Sequence, residues 1–218
     1  PEAKKDQLTP EEIAQLGRRS NLRVGYCFLC TKCDQWHLNL AGGYAIAPDV
    51  VATCNHVVDT SAEIREGYLI AVDANDQVRP VTAVMAHSNV MDAAILRVEG
   101  ADLTPLPLND EVQQGAAAYC YSSPLGQQHY FSDGIVNRFF WDRGYRGGDR
   151  NDLLVSRHLR VNFSTDWAPG SSGSAVLDQS GNVIGHVSVI APMSEAKDTA
   201  AFITLHTGTP AFVVKQLV

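Results

Sequence analysis

The stretch Trp167-Ala-Pro-Gly170-Ser171-Ser172-Gly173-Ser174-Ala175-Val176 decides how this sequence is read. It places a glycine-flanked serine on a tight turn, directly ahead of an apolar run that reads as a strand. A serine hydroxyl is a weak nucleophile until a neighbouring imidazole takes its proton and a carboxylate orients that imidazole. Two other strings supply those groups. In Val51-Ala-Thr-Cys-Asn-His56-Val-Val an apolar strand ends at a histidine, so the imidazole emerges where a buried strand becomes a loop. In Asn89-Val-Met-Asp92-Ala-Ala-Ile-Leu-Arg-Val an aspartate directly precedes an apolar run, so its carboxylate sits where a strand begins. The order along the chain is His, Asp, Ser, with intervals of 36 and 80 residues.

Around these strings the chain reads as β-structure. Short runs rich in Val, Ile, Leu and Ala recur between Gly, Pro, Asn and Asp, among them Val50–Thr53, Ala93–Val98, Ala175–Leu177 and Val183–Val189. That spacing belongs to a sandwich or a pair of barrels, and no strand–helix–strand alternation is visible. Two helices flank the strands. Leu8-Thr-Pro-Glu-Glu-Ile opens one, with Thr9 as N-cap and Pro10 in the first helical position, ending near Gly17 or Asn21. Thr209–Val218 reads as a closing helix capped by Thr209. The proline-rich segment Leu103–Asp110 reads as a linker, which divides the chain into a helical segment (1–21), a first β-rich half (22–104) and a second (105–218).

Composition narrows the function classes. The chain has 218 residues, 45% hydrophobic and 19% charged, which is the balance of a soluble globular protein. No apolar run is long enough to span a bilayer, so membrane insertion is not expected. A net charge of −7 argues against a nucleic-acid partner, because phosphate binding needs clustered cations. The one arginine-rich stretch carries Arg138, Arg143, Arg146, Arg150, Arg157 and Arg160, but Asp142, Asp149 and Asp152 interleave with them. It reads as a solvated loop of mixed charge. Five cysteines cannot all pair within one chain; Cys27, Cys30 and Cys33 crowd together, while Cys54 and Cys120 lie alone. Disulfides, free thiols and a metal site with His37 as the nearest candidate fourth ligand all remain open. A bond from Cys30 or Cys33 to Cys54 would tie the N-terminal segment to the strand that carries His56.

The ordered strings resemble the trypsin and chymotrypsin clan of serine proteases, and within it the high-temperature-requirement (Deg-type) branch. Ser123-Pro-Leu-Gly126, Ser132-Asp-Gly134-Ile135-Val136, Thr165-Asp166 and Gly181-Asn-Val-Ile-Gly185 fit that branch as well, so the likeness runs from about residue 22 to residue 216. It implies an all-β fold of two six-stranded antiparallel barrels with the active site in the cleft between them. By the same resemblance Ser172 is the nucleophile, His56 the general base and then acid, and Asp92 the group that holds the imidazole tautomer. The backbone N–H groups of Gly170 and Ser172 form the oxyanion hole, where one donor is worth about 10²–10³ in rate. The resemblance calls for no cofactor or metal, takes polypeptides as substrates, favours a periplasmic or secreted location, and leaves an oligomer open.

Substrate preference has two readings. Val187-Ser188-Val189-Ile190 resembles the strand that pairs with substrate backbone, and bulky Val189 and Ile190 would narrow the pocket toward small or medium apolar residues. Asp166 lies six residues before Ser172, the offset at which trypsin carries the acid that selects Arg or Lys. The apolar reading is preferred. His186 lies in the run flanking that pocket, although strand alternation turns it to the other face from Val187 and Val189. The sequence departs from the clan at Ser171, where digestive members have an acid, and at Ser174, where a glycine is usual. A rival register with Ser174 as nucleophile would leave Ala175 where glycine is wanted. An alternative of a different class is a catalytically silent or partner-activated peptide-binding scaffold, since Ser171 and Ser174 leave the loop without an obvious tether.

Overall fold

Runs of small and β-branched residues punctuated by turn formers build twelve strands, and these close into two barrels. The computed structural model describes residues 1–59, 63–100, 102–142, 158–193 and 203–218. The first barrel holds β1 (Asn21–Cys30), β2 (Trp36–Ala47), β3 (Val50–Thr53), β4 (Ile64–Val72), β5 (Val78–Ser88) and β6 (Ala93–Val98), in the spatial order β1-β2-β3-β6-β5-β4. The second holds β7 (Ala117–Ser122), β8 (Tyr130–Asp142), β9 (His158–Phe163), β10 (Ala175–Leu177), β11 (Val183–Met193) and β12 (Ile203–Pro210), in the order β10-β11-β12-β9-β8-β7. Pairing between the strands is antiparallel throughout. Closure leaves neither sheet an unpaired edge.

Three apolar clusters hold this arrangement. Leu22, Val24, Val51 and Leu96 fill the first barrel; Val136, Val161, Phe163 and Ile184 fill the second. The third cluster lies between them and joins Tyr44, Ala52 and Ile95 to Ala175 and Val183. Helix α1 (Pro10–Ser20) adds Ile13 and Leu16 to it, and α3 (Ala211–Leu217) adds Val214. Each fully buried Leu, Ile or Val contributes about 1.5–3 kcal/mol, so this middle cluster is what fixes one barrel against the other. The proline-rich segment is tied to both. Leu106 N–H donates to Ala45 C=O (2.8 Å), Asn109 N–H to Val183 C=O (2.8 Å), and Val183 N–H to Pro107 C=O (2.7 Å).

Helix α1 starts as its sequence dictates: Glu12 N–H donates to Thr9 Oγ1 (3.3 Å) and Thr9 N–H to the Glu12 carboxylate (2.8 Å). The residues before it reach back across the second barrel. Lys4 N–H donates to Asn182 Oδ1 (2.7 Å), Asn182 Nδ2 to Lys4 C=O (2.9 Å), and Leu8 N–H to Gln179 C=O (2.8 Å).

Two expectations need correction here. Thr209 does not cap the closing helix; it lies within β12, fully buried, and its hydroxyl donates to Met91 C=O (3.0 Å), while Pro210 takes the cap position. The arginine stretch is not simply a solvated loop. Residues 143–157, with Arg143, Arg146, Asp149, Arg150, Asp152 and Arg157, lie outside the described residues. Of the described arginines, Arg138 lies in β8, its Nε donating to Asn162 Oδ1 (2.7 Å) and its guanidinium 4.5 Å above the Phe140 ring, and Arg160 is buried in β9.

Candidate active site

His56 and Asp92 come from the ends of two paired strands of the first barrel, β3 and β6. β3 ends at Thr53, and the short helix α2 (Asn55–Val58) turns His56 out of the sheet. Asp92 immediately precedes β6 with φ +55°, a left-handed conformation that aspartate tolerates better than most residues. The turn brings its carboxylate under the imidazole. His56 Nδ1 lies 2.9 Å from both Asp92 oxygens, and His56 N–H donates to Asp92 Oδ1 (3.1 Å). Two bonds from one residue fix the ring's position and its tautomer: Nδ1 carries the proton and Nε2 is left as the basic atom.

Asp92 is almost fully buried, whereas a third of the His56 side chain is exposed. Burial alone would raise the Asp92 carboxyl. The His56 hydrogen bond and charge, together with the Ser188 hydroxyl (2.5 Å), outweigh it and hold the group well below the usual carboxylate range. An aspartate held in its ionised form therefore faces the imidazole.

Ser172 is supplied by the second barrel, in the loop ahead of β10. His56 and Ser172 line one cleft with Gly170, Tyr26 and the Asn39–Ala41 stretch of β2. The loop is well tethered. Gly42 N–H donates to Ser172 C=O (2.6 Å), Gly173 N–H to Val187 C=O (2.8 Å), and Ser171 Oγ bonds to Ser122 Oγ (3.1 Å) in a buried contact. The expectation that Ser171 leaves the loop without a tether is thus overturned, because its neighbour Ser122 lies far away in sequence.

The Pro169–Gly170 and Ser171–Ser172 peptide planes are oriented by the same network. Pro169 C=O accepts from Leu125 N–H (2.7 Å), and Ser171 C=O accepts from Ser174 N–H (3.0 Å). In a trans peptide C=O and N–H point in opposite directions. The N–H groups of Gly170 and Ser172 consequently point away from the donors that hold those two carbonyls, and both residues line the cleft. Gly170 has φ +97°, and a Cβ there would come within 2.9 Å of Ser123 C=O. Glycine is therefore required on both conformational and steric grounds. Ser174 cannot replace Ser172 in this geometry, since its side chain is buried against Gly42 and its hydroxyl has no partner among the described residues.

The proposed specificity residues are dispersed. Val187 is buried in the core of the second barrel, and the Ser188 hydroxyl is committed to Asp92. Val189 and Ile190 follow a register shift in β11 and are half-buried, while Asp166 is exposed and its backbone carbonyl accepts from Ser132 Oγ (3.0 Å). None of these five lines the cleft that His56 and Ser172 share.

His186 does not belong to a pocket. It is completely buried behind Asp92, where Tyr44 O–H donates to its Nδ1 (3.3 Å) and its Nε2–H donates to Asp92 C=O (3.1 Å). Burial pushes it down to about 4, so the ring is neutral at ordinary pH. Arg160 is the other residue the sequence did not single out. Its Nη1 donates to Thr209 Oγ1 (2.8 Å), Ser188 Oγ (3.3 Å) and Met91 C=O (3.3 Å), which places a buried cation beside the chain that carries Asp92. The alternation His158-Leu-Arg160-Val-Asn162 in a strand was the available signal, because residues 158, 160 and 162 share one face.

The disulfide expectation is also corrected. All five cysteines are free. Cys54 is buried between the barrels with its thiol donating to Val187 C=O (2.9 Å), and burial raises it well above the usual thiol value. No helix among the described residues is long and apolar enough to cross a membrane.

Comparison with known proteins agrees with the double-barrel fold. Residues 41–185 match the model of the trypsin-like peptidase domain. The chain belongs to that family. Its relatives include Protease Do-like 1, chloroplastic, of Arabidopsis thaliana, 27% identical over 169 residues, which are 75% of this chain and 37% of that protein. A probable periplasmic serine endoprotease DegP-like of Ectopseudomonas mendocina is 30% identical over 152 residues, 67% of this chain and 28% of its own length. The chain thus spans about a third of the length of these curated relatives. Among solved structures, the Rv3671c protease of M. tuberculosis in its active form superposes with a TM-score of 0.71 at 21% identity, over all of this chain and 87% of the other. The double barrel of a trypsin-like peptidase domain is thereby shared, and the Deg-type resemblance read from the motifs holds.

Proposed function

We propose that this trypsin-like peptidase domain is a serine endopeptidase acting through an acyl-enzyme. Ser172 Oγ attacks the scissile carbonyl while His56 Nε2 takes its proton; the same imidazole then protonates the leaving amine. Asp92 keeps the ring in the required tautomer and stabilises the imidazolium. The Gly170 and Ser172 N–H groups receive the oxyanion. Water repeats the sequence to release the acid product, and no cofactor takes part. The observation that carries this reading is the doubly held His56–Asp92 pair opening onto the cleft that Ser172 and Gly170 line.

The backbone anchors at Pro169 and Ser171 support a competent oxyanion loop over a silent binding scaffold, because both carbonyls are already held by hydrogen bonds that leave the Gly170 and Ser172 N–H groups on the opposite side of their peptide planes. Cleavage after small or medium apolar residues rests on the sequence resemblance of Val187–Ile190 to a substrate-pairing strand, since Val189 and Ile190 do not line the cleft that His56 and Ser172 share. For location, the periplasmic and chloroplastic names of the relatives support a site outside the cytoplasm or within an organelle; five free thiols add nothing to a secreted reading. Residues 22–104 and 105–218 are taken as the two barrel units.

The test is a fluorophosphonate probe. Folded protein should form an adduct on Ser172 and lose it in Ser172→Ala. Absence of an adduct under conditions that label trypsin would refute the assignment, and peptide binding without turnover, unchanged in Ser172→Ala, would transfer it to the scaffold reading.

A further inference from the structure

Cys30, Cys33 and His37 lie outside the catalytic geometry, at the tip of the β1–β2 hairpin. Their ligand atoms all fall within 4.8 Å of one another, with Cys33 Sγ 3.0 Å from His37 Nε2. The turn that joins them is shaped around a sulfur. Lys32 N–H donates to Cys30 Sγ (3.4 Å), and Asp34 N–H donates to Cys30 C=O (3.1 Å). Asp34, directly after the second cysteine, adopts φ +54°. This left-handed residue reverses the chain tightly enough for both thiols to face one point. Pairing of Phe28 with His37 across the strands, with ring centroids 5.5 Å apart, puts His37 on the face that Cys30 shares. Cys27 sits opposite Leu38 and Tyr68 and so belongs to the other face. The turn is anchored from below: Lys32 Nζ and Thr31 Oγ1 each reach the Glu63 carboxylate at 3.1 Å.

We propose that this hairpin tip is a binding site for one soft divalent metal ion, zinc by ligand chemistry, held by Cys30 Sγ, Cys33 Sγ and His37 Nε2. Thiolate and imidazole donors select zinc over magnesium or calcium, which require oxygen ligands. Tetrahedral bonds of about 2.3 Å to sulfur and 2.0 Å to nitrogen separate ligand atoms by roughly 3.5–3.8 Å, a spacing the cluster meets with shifts of under about 1 Å. N–H···S bonds stabilise the thiolate form that binds the ion, and both thiol protons leave to solvent on binding. Three protein ligands leave one tetrahedral position for water. The cluster is at the surface, so the ion has direct access. The strand that carries His37 continues within two residues into Asn39–Ala41, the wall of the catalytic cleft, so an ion at the tip would stiffen that wall. The proposal is independent of whether the cleft is a working peptidase.

Cobalt(II) titration of the reduced, metal-free protein tests it. One equivalent should produce thiolate-to-cobalt charge-transfer absorption that zinc displaces. Cys30→Ser and Cys33→Ser should abolish the band, and His37→Ala should weaken binding more than about tenfold. Cys27→Ser should leave both unchanged. All four positions are at least partly exposed, and near-ultraviolet circular dichroism confirms that each variant is folded. Failure of the wild-type protein to give the band, survival of the band in Cys30→Ser or Cys33→Ser, or its loss in Cys27→Ser would each overturn the proposal.

Discussion

Asp92 stands between two histidines whose surroundings differ in every respect that matters. On the cleft side His56 is part-exposed, reached by solvent, and engages the carboxylate. On the inner side His186 is sealed between the barrels and engages only the backbone carbonyl of the same residue. One ring meets the carboxylate of Asp92 and the other its backbone carbonyl, yet only His56 lines the cleft. His186 spends both nitrogens on fixed partners. The contrast teaches that proximity to the carboxylate does not make a base. A ring needs the carboxylate on one side and a vacant nitrogen facing the substrate on the other.

This contrast can be broken at either end. The largest effect is expected on the cleft side: His56→Ala should reduce kcat by about 10⁵–10⁶ in a peptide-hydrolysis assay, while His186→Gln should retain most of the rate. Asp92→Asn should cost about 10⁴ in kcat, since an amide in place of the carboxylate favours the wrong imidazole tautomer. Gly170→Ala should cost about 10²–10³, because the added methyl meets Ser123 C=O and turns the N–H from the oxyanion; the loss should appear in kcat more than in KM.

The inner side is read by stability. Below the ordinary histidine value the unfolded chain takes up a proton that buried His186 refuses until its own value of about 4. The unfolded state therefore binds more protons in that window, and the melting temperature should fall as pH drops from about 6.5 toward 4. Asp92 acts lower down. Its carboxyl is depressed in the folded state, so its contribution is present above about pH 4 and is lost only as pH falls through the depressed value. His186→Gln should flatten the slope between about 6.5 and 4 in thermal melts at stepped pH. The smallest effect is expected from Tyr44→Phe, which removes the hydroxyl on His186 Nδ1 and should cost about 1 kcal/mol in urea denaturation.

Much of the fold and of the triad could be read in the sequence because both rest on local patterns. Val50–Thr53, Ala93–Val98 and Ala175–Leu177 match their observed strands residue for residue, since each is a short apolar run between strong turn formers. Gly170 and Gly173 announce positive φ by being glycine. What was hidden depends on residues distant in sequence. The Ser171–Ser122 tether spans 49 residues, and the contact of His186 with Asp92 spans 94. Arg160 was submerged in a run of arginines and aspartates whose composition says solvent, whereas the strand's alternation turns that one guanidinium inward. Thr209 misled in the opposite way: threonine before proline is a good helix cap, but its hydroxyl found Met91 C=O across the barrel interface instead.

The short segment ahead of α1 has a consequence for how the molecule comes into being. Lys4 and Leu8 hydrogen-bond to Asn182 and Gln179, and Leu16 packs over Gly181, so this clasp joins segments far apart in the chain, 178 residues for Lys4 and Asn182. Contacts of such long sequence separation carry a high loop-closure cost, so the docking of α1 onto the contact between the barrels is expected late in folding. Loosening that clasp, for instance by Asn182→Ala, should show first as a faster unfolding rate, with the rate of folding little altered.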